Sequence, residues 1–184
     1  MICVERSAAL NGYSKREVRG VLYLPSLVIG TVSTDIFADC NKNAFLKKYL
    51  LGRNNNTKIH AAVDKQCRPI KLLLSAGNVN DIKVAPLLLD GLVLTDAVVI
   101  ADKAYCSRKF LSLIESKGGN PCIPCKKTYK VQWKIDGEKY KKRNVVERFF
   151  QGLKENRRLA MRFDKRADRF FSFILFDSIL LWLK

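Results

Sequence analysis

The sequence predicts a mixed α/β domain, one sheet flanked by helices, and three observations carry that prediction. Short β-branched and apolar runs bounded by Gly, Pro and Asn fill the first half of the chain. Amphipathic helical patterns follow, interrupted by one further strand-like run. Hydrophobic residues make up 48% of the 184, enough to bury a core. Strands first, then helix, strand, helix, short strand and helices describes neither a bundle nor a sandwich.

The elements justify themselves in order. Residues 1–20 are polar and weakly patterned. Residues 21–37, VLYLPSLVIGTVSTDIF, read as one or two strands punctuated by Pro25 and Gly30. NAFLKKYLL reads as a helix that ends in the loop Gly52-Arg53-Asn54-Asn55-Asn56. TKIHAAVD and PIKLLLSAG, separated by Lys65-Gln66-Cys67-Arg68, form a hairpin signature. Residues 81–91 read as helix and lead to Leu92–Ala101, a buried strand that ends at Asp102. Ser107 caps a helix that runs to Lys117 and stops at Gly118-Gly119. Ile123 belongs to another short strand, and residues 126–142 read as a basic, loop-like connection. From Arg143 onward the pattern is helical to the end, with a break near Asp164. The apolar run Phe170 to Leu183 has 14 residues with Asp177 in its middle, short of the roughly 20 that a membrane span needs. It is expected to be a buried terminal helix of a soluble domain, with no membrane partner.

Charge narrows the function classes. Lys and Arg number 34 against 17 Asp and Glu, a formal net charge of +17, and residues 126–184 hold 17 of those cations against 7 acids. Such an excess repels itself in a compact fold and is offset by a polyanion, with nucleic acid the leading partner. Six cysteines follow an N-terminus with charges where the apolar core of a secretory signal would lie, so reduced thiols in a cytosol are expected. Cys122 and Cys125 form a lone CxxC. With His60 the only histidine and no second CxxC, it reads as a loop with two small apolar residues and not as a zinc site.

Two carboxylates stand out. Asp102 closes an apolar strand, where α/β sheets place their ligands, although an Asp there also simply starts turns. Glu147 lies in KYKKRNVVERFFQGLKENRR. On a helical projection Arg143, Gln151, Lys154 and Arg158 fall within about 40° of it, and Val145, Val146, Phe149 and Leu153 lie opposite. That arrangement is a cationic stripe around one carboxylate, and equally an ordinary amphipathic helix with i,i+4 ion pairs.

The motifs resolve this ambiguity. Tyr140, Arg143, Glu147 and Lys154, separated by two, three and six residues, resemble the signature of bacterial insertion-sequence transposases of the DDE type. ADKAYCS at 101–107 is similar to the family segment that carries the second catalytic Asp. TKIHAAVDKQCRPIKLLLSAGNVNDI, NPCIPCKK and the tail RRLAMRFDKRADRFFSFILFDSILLWL resemble further family segments in the same order. The resemblance covers about residues 57–184. It implies an RNase H-like fold for residues 27–184, with residues 1–26 a short unassigned segment.

The implied reaction is metal-dependent cleavage of a DNA phosphodiester followed by strand transfer, with two metals flanking the phosphorus. The implied cofactor is Mg²⁺ or Mn²⁺, held by Asp102 and Glu147. Tyr140, Arg143, Lys154 and Arg158 would contact DNA. The implied partners are transposon ends and target DNA, bound by a homodimer in the bacterial cytoplasm, on the nucleoid.

Two departures qualify that activity. The family's first catalytic Asp opens an Asp-Ser-Thr triplet on the first strand, and the corresponding run here reads Val32-Ser33-Thr34, with Val32 in the ligand's place. Asp35 is the substitute ligand if the register is set by that residue instead. The first 31 residues also do not resemble the family's N-terminal segment, which binds element ends. The sequence therefore reads as a DDE transposase, shortened or degenerate, inactive if Val32 replaces the first Asp. The alternative is a catalytically dead, basic DNA-binding remnant, and a basic RNA-associated protein is a more distant rival.

Overall fold

The computed structural model describes residues 25–35, 56–125, 129 and 135–183. Within them lie five strands: β1 (Ser26–Asp35), β2 (Asn56–Val63), β3 (Pro69–Ala76), β4 (Val98–Ala101) and β5 (Asn120–Cys122). The helices are α1 (Asp81–Leu89), α2 (Arg108–Ser116), α3 (Gly137–Lys141), α4 (Asn144–Glu155), α5 (Arg157–Ala160) and α6 (Ala167–Leu183), with a 3₁₀ turn at Lys103–Tyr105. The strands form one mixed sheet in the order β3-β2-β1-β4-β5. β1, β2 and β3 pair antiparallel, whereas β4 lies parallel to both β1 and β5. The mixed sheet flanked by helices is the arrangement expected, and it is consistent with an RNase H-like fold.

Side-chain alternation on β1 explains the layering. Leu27 and Ile29 enter one core with Leu88 and Leu89 of α1 and Phe110 and Ile114 of α2. Val28 enters the other with Val146, Phe149 and Leu153 of α4 and Phe170 and Ile174 of α6. The sheet is covered on both faces, so β2 is buried along most of its length and reads as an apolar run.

The β2–β3 hairpin, the helix at 108–116 and the apolar face of α4 lie where the pattern puts them. The Asp64 carboxylate organises the hairpin turn, accepting hydrogen bonds from the Gln66 and Arg68 backbone N–H groups at 2.8 and 2.9 Å and from Arg68 Nη2 at 2.6 Å. Cys67 sits in the turn at φ 69°. Ser107 caps α2, its hydroxyl accepting from the Phe110 N–H at 3.4 Å.

Four expectations are corrected. Only Val98–Ala101 of the run from Leu92 is strand. Asp96 turns the chain at φ 58°, and Leu94 and Ala97 are apolar because they are buried beside α2, not because they pair. Ile123 lies just beyond β5 and is fully buried. Part of the basic connection is helical: Asp136 caps α3, accepting from the Glu138 and Lys139 N–H groups. Finally, α6 is not buried all round. Phe170, Ile174 and Ser178 face the core, whereas Phe176, Ile179, Leu180 and Leu183 are exposed. The helix expected over 43–51 lies outside the described residues. Among those described, no helix is long and apolar enough to cross a membrane.

A polar chain runs through the sheet between these layers. Thr31 Oγ1 is hydrogen-bonded to the Tyr105 hydroxyl and, at 2.9 Å, to His60 Nδ1, whose Nε2 meets Ser75 Oγ at 2.7 Å. Burial pushes His60 down to about 4 against the opposing field of Asp81, so the ring is neutral at pH 7. The unfolded chain therefore binds a proton at pH below about 6.5 that the fold refuses until about 4. Stability is expected to fall by on the order of 2–3 kcal/mol as pH drops through that window. Urea unfolding at pH 7 and pH 4.5 measures it, and His60→Gln should flatten the slope.

Candidate functional site

The carboxyl end of β4 and the start of α4 meet in a cavity of about 150 Å³, and the side chains that line it include Thr31, Asp81, Asp102, Arg143 and Glu147. Asp102 follows the last residue of β4 and caps the 3₁₀ turn, its Oδ1 accepting from the Lys103 N–H at 2.6 Å. Glu147 is delivered by α4, whose Val145, Val146, Phe149, Phe150 and Leu153 are buried against the sheet and turn the polar face outward. α3 and α4 are joined through Lys142 and Arg143 in right-handed helical backbone, so the four-residue spacing from Arg143 to Glu147 spans one helical turn. Arg143 Nη2 lies 2.8 Å from Glu147 Oε1, and its Nη1 lies 3.9 Å from Asp102 Oδ2. One guanidinium thus faces both carboxylates.

The other residues singled out by sequence are placed as follows. The Arg143 guanidinium stands 5.9 Å from the centre of the Tyr140 ring, and burial raises the phenol's pKa, so Tyr140 is a neutral donor. Lys154 is exposed near the end of α4. Asp35 ends β1, where its backbone is level with Asn56, and Val32 is level with Ile59. Arg158 leaves the stripe. The helix breaks at Asn156, whose side chain caps α5, and Arg158 pairs instead with Asp164 through Nε at 3.0 Å and Nη2 at 2.8 Å. Its guanidinium also lies 3.8 Å over the Phe173 ring.

The hydrogen bonds from Arg158 hold the Asp164 carboxyl below its usual range, so the pair contributes stability above the ordinary carboxylate pKa that is lost on acidification. Arg158→Ala should lower the urea midpoint at pH 7 and narrow the gap to the wild type toward pH 3, whereas Lys154→Ala should leave the midpoint unchanged.

Comparison with known proteins gives the family. The family model for the transposase DDE domain matches residues 46–181. A Brucella ovis protein named as a transposase for insertion sequence element IS6501 is 33% identical over 129 residues, covering 70% of this chain and 98% of that one. The chain belongs to the DDE transposase family. A Burkholderia cepacia protein named as a transposase for element IS402 is 28% identical over 141 residues, covering 68% of this chain and 62% of that one. No solved structure matches the chain significantly.

DDE transposases use divalent metals, and hard cations of that kind take carboxylate oxygens. Asp102 and Glu147 are ligands of the right chemistry. The set is nevertheless short: among the described residues no three carboxylate, imidazole or thiol groups are grouped so as to hold a metal ion. Asp81 lines the same cavity but is ion-paired to Lys58 at 2.7 Å. Among the described residues, therefore, the set falls short of a two-metal centre.

A second concavity of about 680 Å³ opens on the outer side of Glu147, lined by Lys65, Lys141, Lys142, Asn144, Arg148 and Gln151 among others. Lys65 had no distinguishing signal in the sequence. Its place depends on the Asp64-ordered hairpin turn reaching α4, a contact made also by the Cys67 thiol, which donates to the Val145 carbonyl at 3.1 Å.

Proposed function

We propose that this DDE transposase-family chain binds DNA along the cationic groove beside Glu147 and, with an incomplete acidic set, neither cuts nor joins it. One observation carries the reading. Lys65, Lys141, Lys142 and Arg148 converge on one open groove whose wall is the helix bearing Glu147. Phosphates neutralised there release counterions, which makes binding steeply salt-dependent and nearly indifferent to sequence. Tyr140 and Lys154 extend the contact on either side of Glu147, and Arg143 positions the two carboxylates. On this reading the protein acts on the bacterial nucleoid in the cytoplasm, and its assembly on DNA is a homodimer.

The second reading, an active transposase that uses Mg²⁺ or Mn²⁺, is favoured by the shared cavity of Asp102 and Glu147. A labelled duplex decides between them. Fluorescence anisotropy over a salt series should show binding, and the same duplex incubated with Mg²⁺ or Mn²⁺ should stay intact. Metal-dependent cleavage that Asp102→Asn abolishes would establish the second reading and defeat the first.

A further inference from the structure

We infer that Gly30, not Val32, occupies the place on β1 from which a third carboxylate would complete the acidic site. The inference rests on the reading of the Asp102–Glu147 cavity as the family's acidic site, and it concerns which residue has left that site incomplete. The parallel register sets Ile29 level with Ala101, so one residue further on each chain Gly30 comes level with Asp102. Gly30 lines the cavity together with Asp102 and Glu147. Val32 is not among the cavity's lining residues. It lies two residues, about 7 Å, further along the strand and packs against the core on the α4 side. The Asp35 backbone is five residues, roughly 17 Å, beyond Gly30.

The direction is right as well as the level. A Cβ on Gly30 would point at α4, 2.8 and 2.9 Å from the two Cγ atoms of Val146 and 3.3 Å from the Phe150 ring. Val146 immediately precedes Glu147. A glycine within a strand marks a close approach by another element, and here that element is the helix that carries the second carboxylate. α4 has settled into the volume that a side chain at position 30 would fill. The guanidinium of Arg143 is left as the cation facing both remaining carboxylates.

The test reads Mn²⁺ binding by calorimetry, not turnover, in the wild type, Val32→Asp, Gly30→Asp and Gly30→Asp/Val146→Ala. The double variant removes the clashing methyl groups. It should bind Mn²⁺ about tenfold or more tightly than the wild type, with the gain lost on adding Glu147→Gln, and Val32→Asp should stay at the wild-type level. A gain in Val32→Asp and none in the double variant would overturn the inference. So would tight wild-type binding that Asp35→Asn abolishes.

The packing half is read separately, by thermal unfolding of Gly30→Ala, Val146→Ala and their combination. The combined midpoint should lie above the sum of the two single shifts, and strict additivity would contradict the close approach. DNA anisotropy on the same proteins reports on DNA binding alone, so failure of the metal result and failure of the DNA-binding reading are told apart.

Discussion

Replacing Lys141, Lys142 and Arg148 together with alanine is expected to lower DNA affinity about a hundredfold near physiological salt. All three are exposed, line the groove beside Glu147, and lie on α3, on α4 or at the junction between them. Each phosphate contact contributes close to one unit of slope in a plot of log affinity against log salt, so the slope should fall by about 3 in magnitude. Lys65→Ala should remove about one unit more, although it lies far from the other three in sequence. Anisotropy titrations at several salt concentrations measure both quantities. An unchanged slope in the triple variant would mean that DNA lies elsewhere on this surface. Lys141 has an ion-pair partner in Glu138 at 2.6 Å, but both side chains are well exposed, and such a pair competes weakly with a polyanion.

Phe149→Ala is expected to destabilise the fold by about 3–5 kcal/mol, a large share of the stability of a domain this size. Phe149 is 1% exposed and stacks in a tilted arrangement on Phe150, with ring centres 5.3 Å apart, beneath β1 and β2. The truncation leaves a void that the β-branched Val145 and Val146 cannot collapse into without moving α4. Urea denaturation should show a lowered midpoint with an unchanged slope. Arg148→Ala, one residue earlier on the solvent side, should change the stability by less than about 0.5 kcal/mol. A comparable loss in both variants would contradict the division of α4 into a buried and an exposed face.

Much of the fold was legible because its causes are local. The hairpin of residues 57–77 announces itself by two β-rich runs around a short polar turn, and α2 by a serine cap and a pair of glycines. α4 is legible from apolar residues at helical spacing: Val145, Val146, Phe149 and Leu153 are buried as the projection places them, and Phe150 is buried beside them. What misled was also local in origin. Leu94 and Ala97 are apolar because they are covered, and hydropathy does not separate a covered turn from a covered strand. Residues 126–142 read as a loop-like connection, yet Asp136 is a good N-cap and starts α3 there. The stripe from Glu147 to Arg158 assumes an unbroken helix, and the cap at Asn156 ends that assumption.

The sequence by itself determined the excess of cations, the amphipathic faces, the family's motifs in order, and Asp102 and Glu147 as the acidic residues with a site's surroundings. These depend on composition and on spacing within single elements. Only the tertiary structure decided which residue of β1 stands level with Asp102, that Arg143 faces both carboxylates, that Arg158 turns to Asp164, and that Lys65 joins the cations of α3 and α4. Each of these depends on strand register or on contacts between segments tens of residues apart. Register is fixed by the packing of whole faces, and a slip of one residue exchanges one face for the other. The run Gly30-Thr31-Val32-Ser33 reads the same in either frame until β4 is laid beside it.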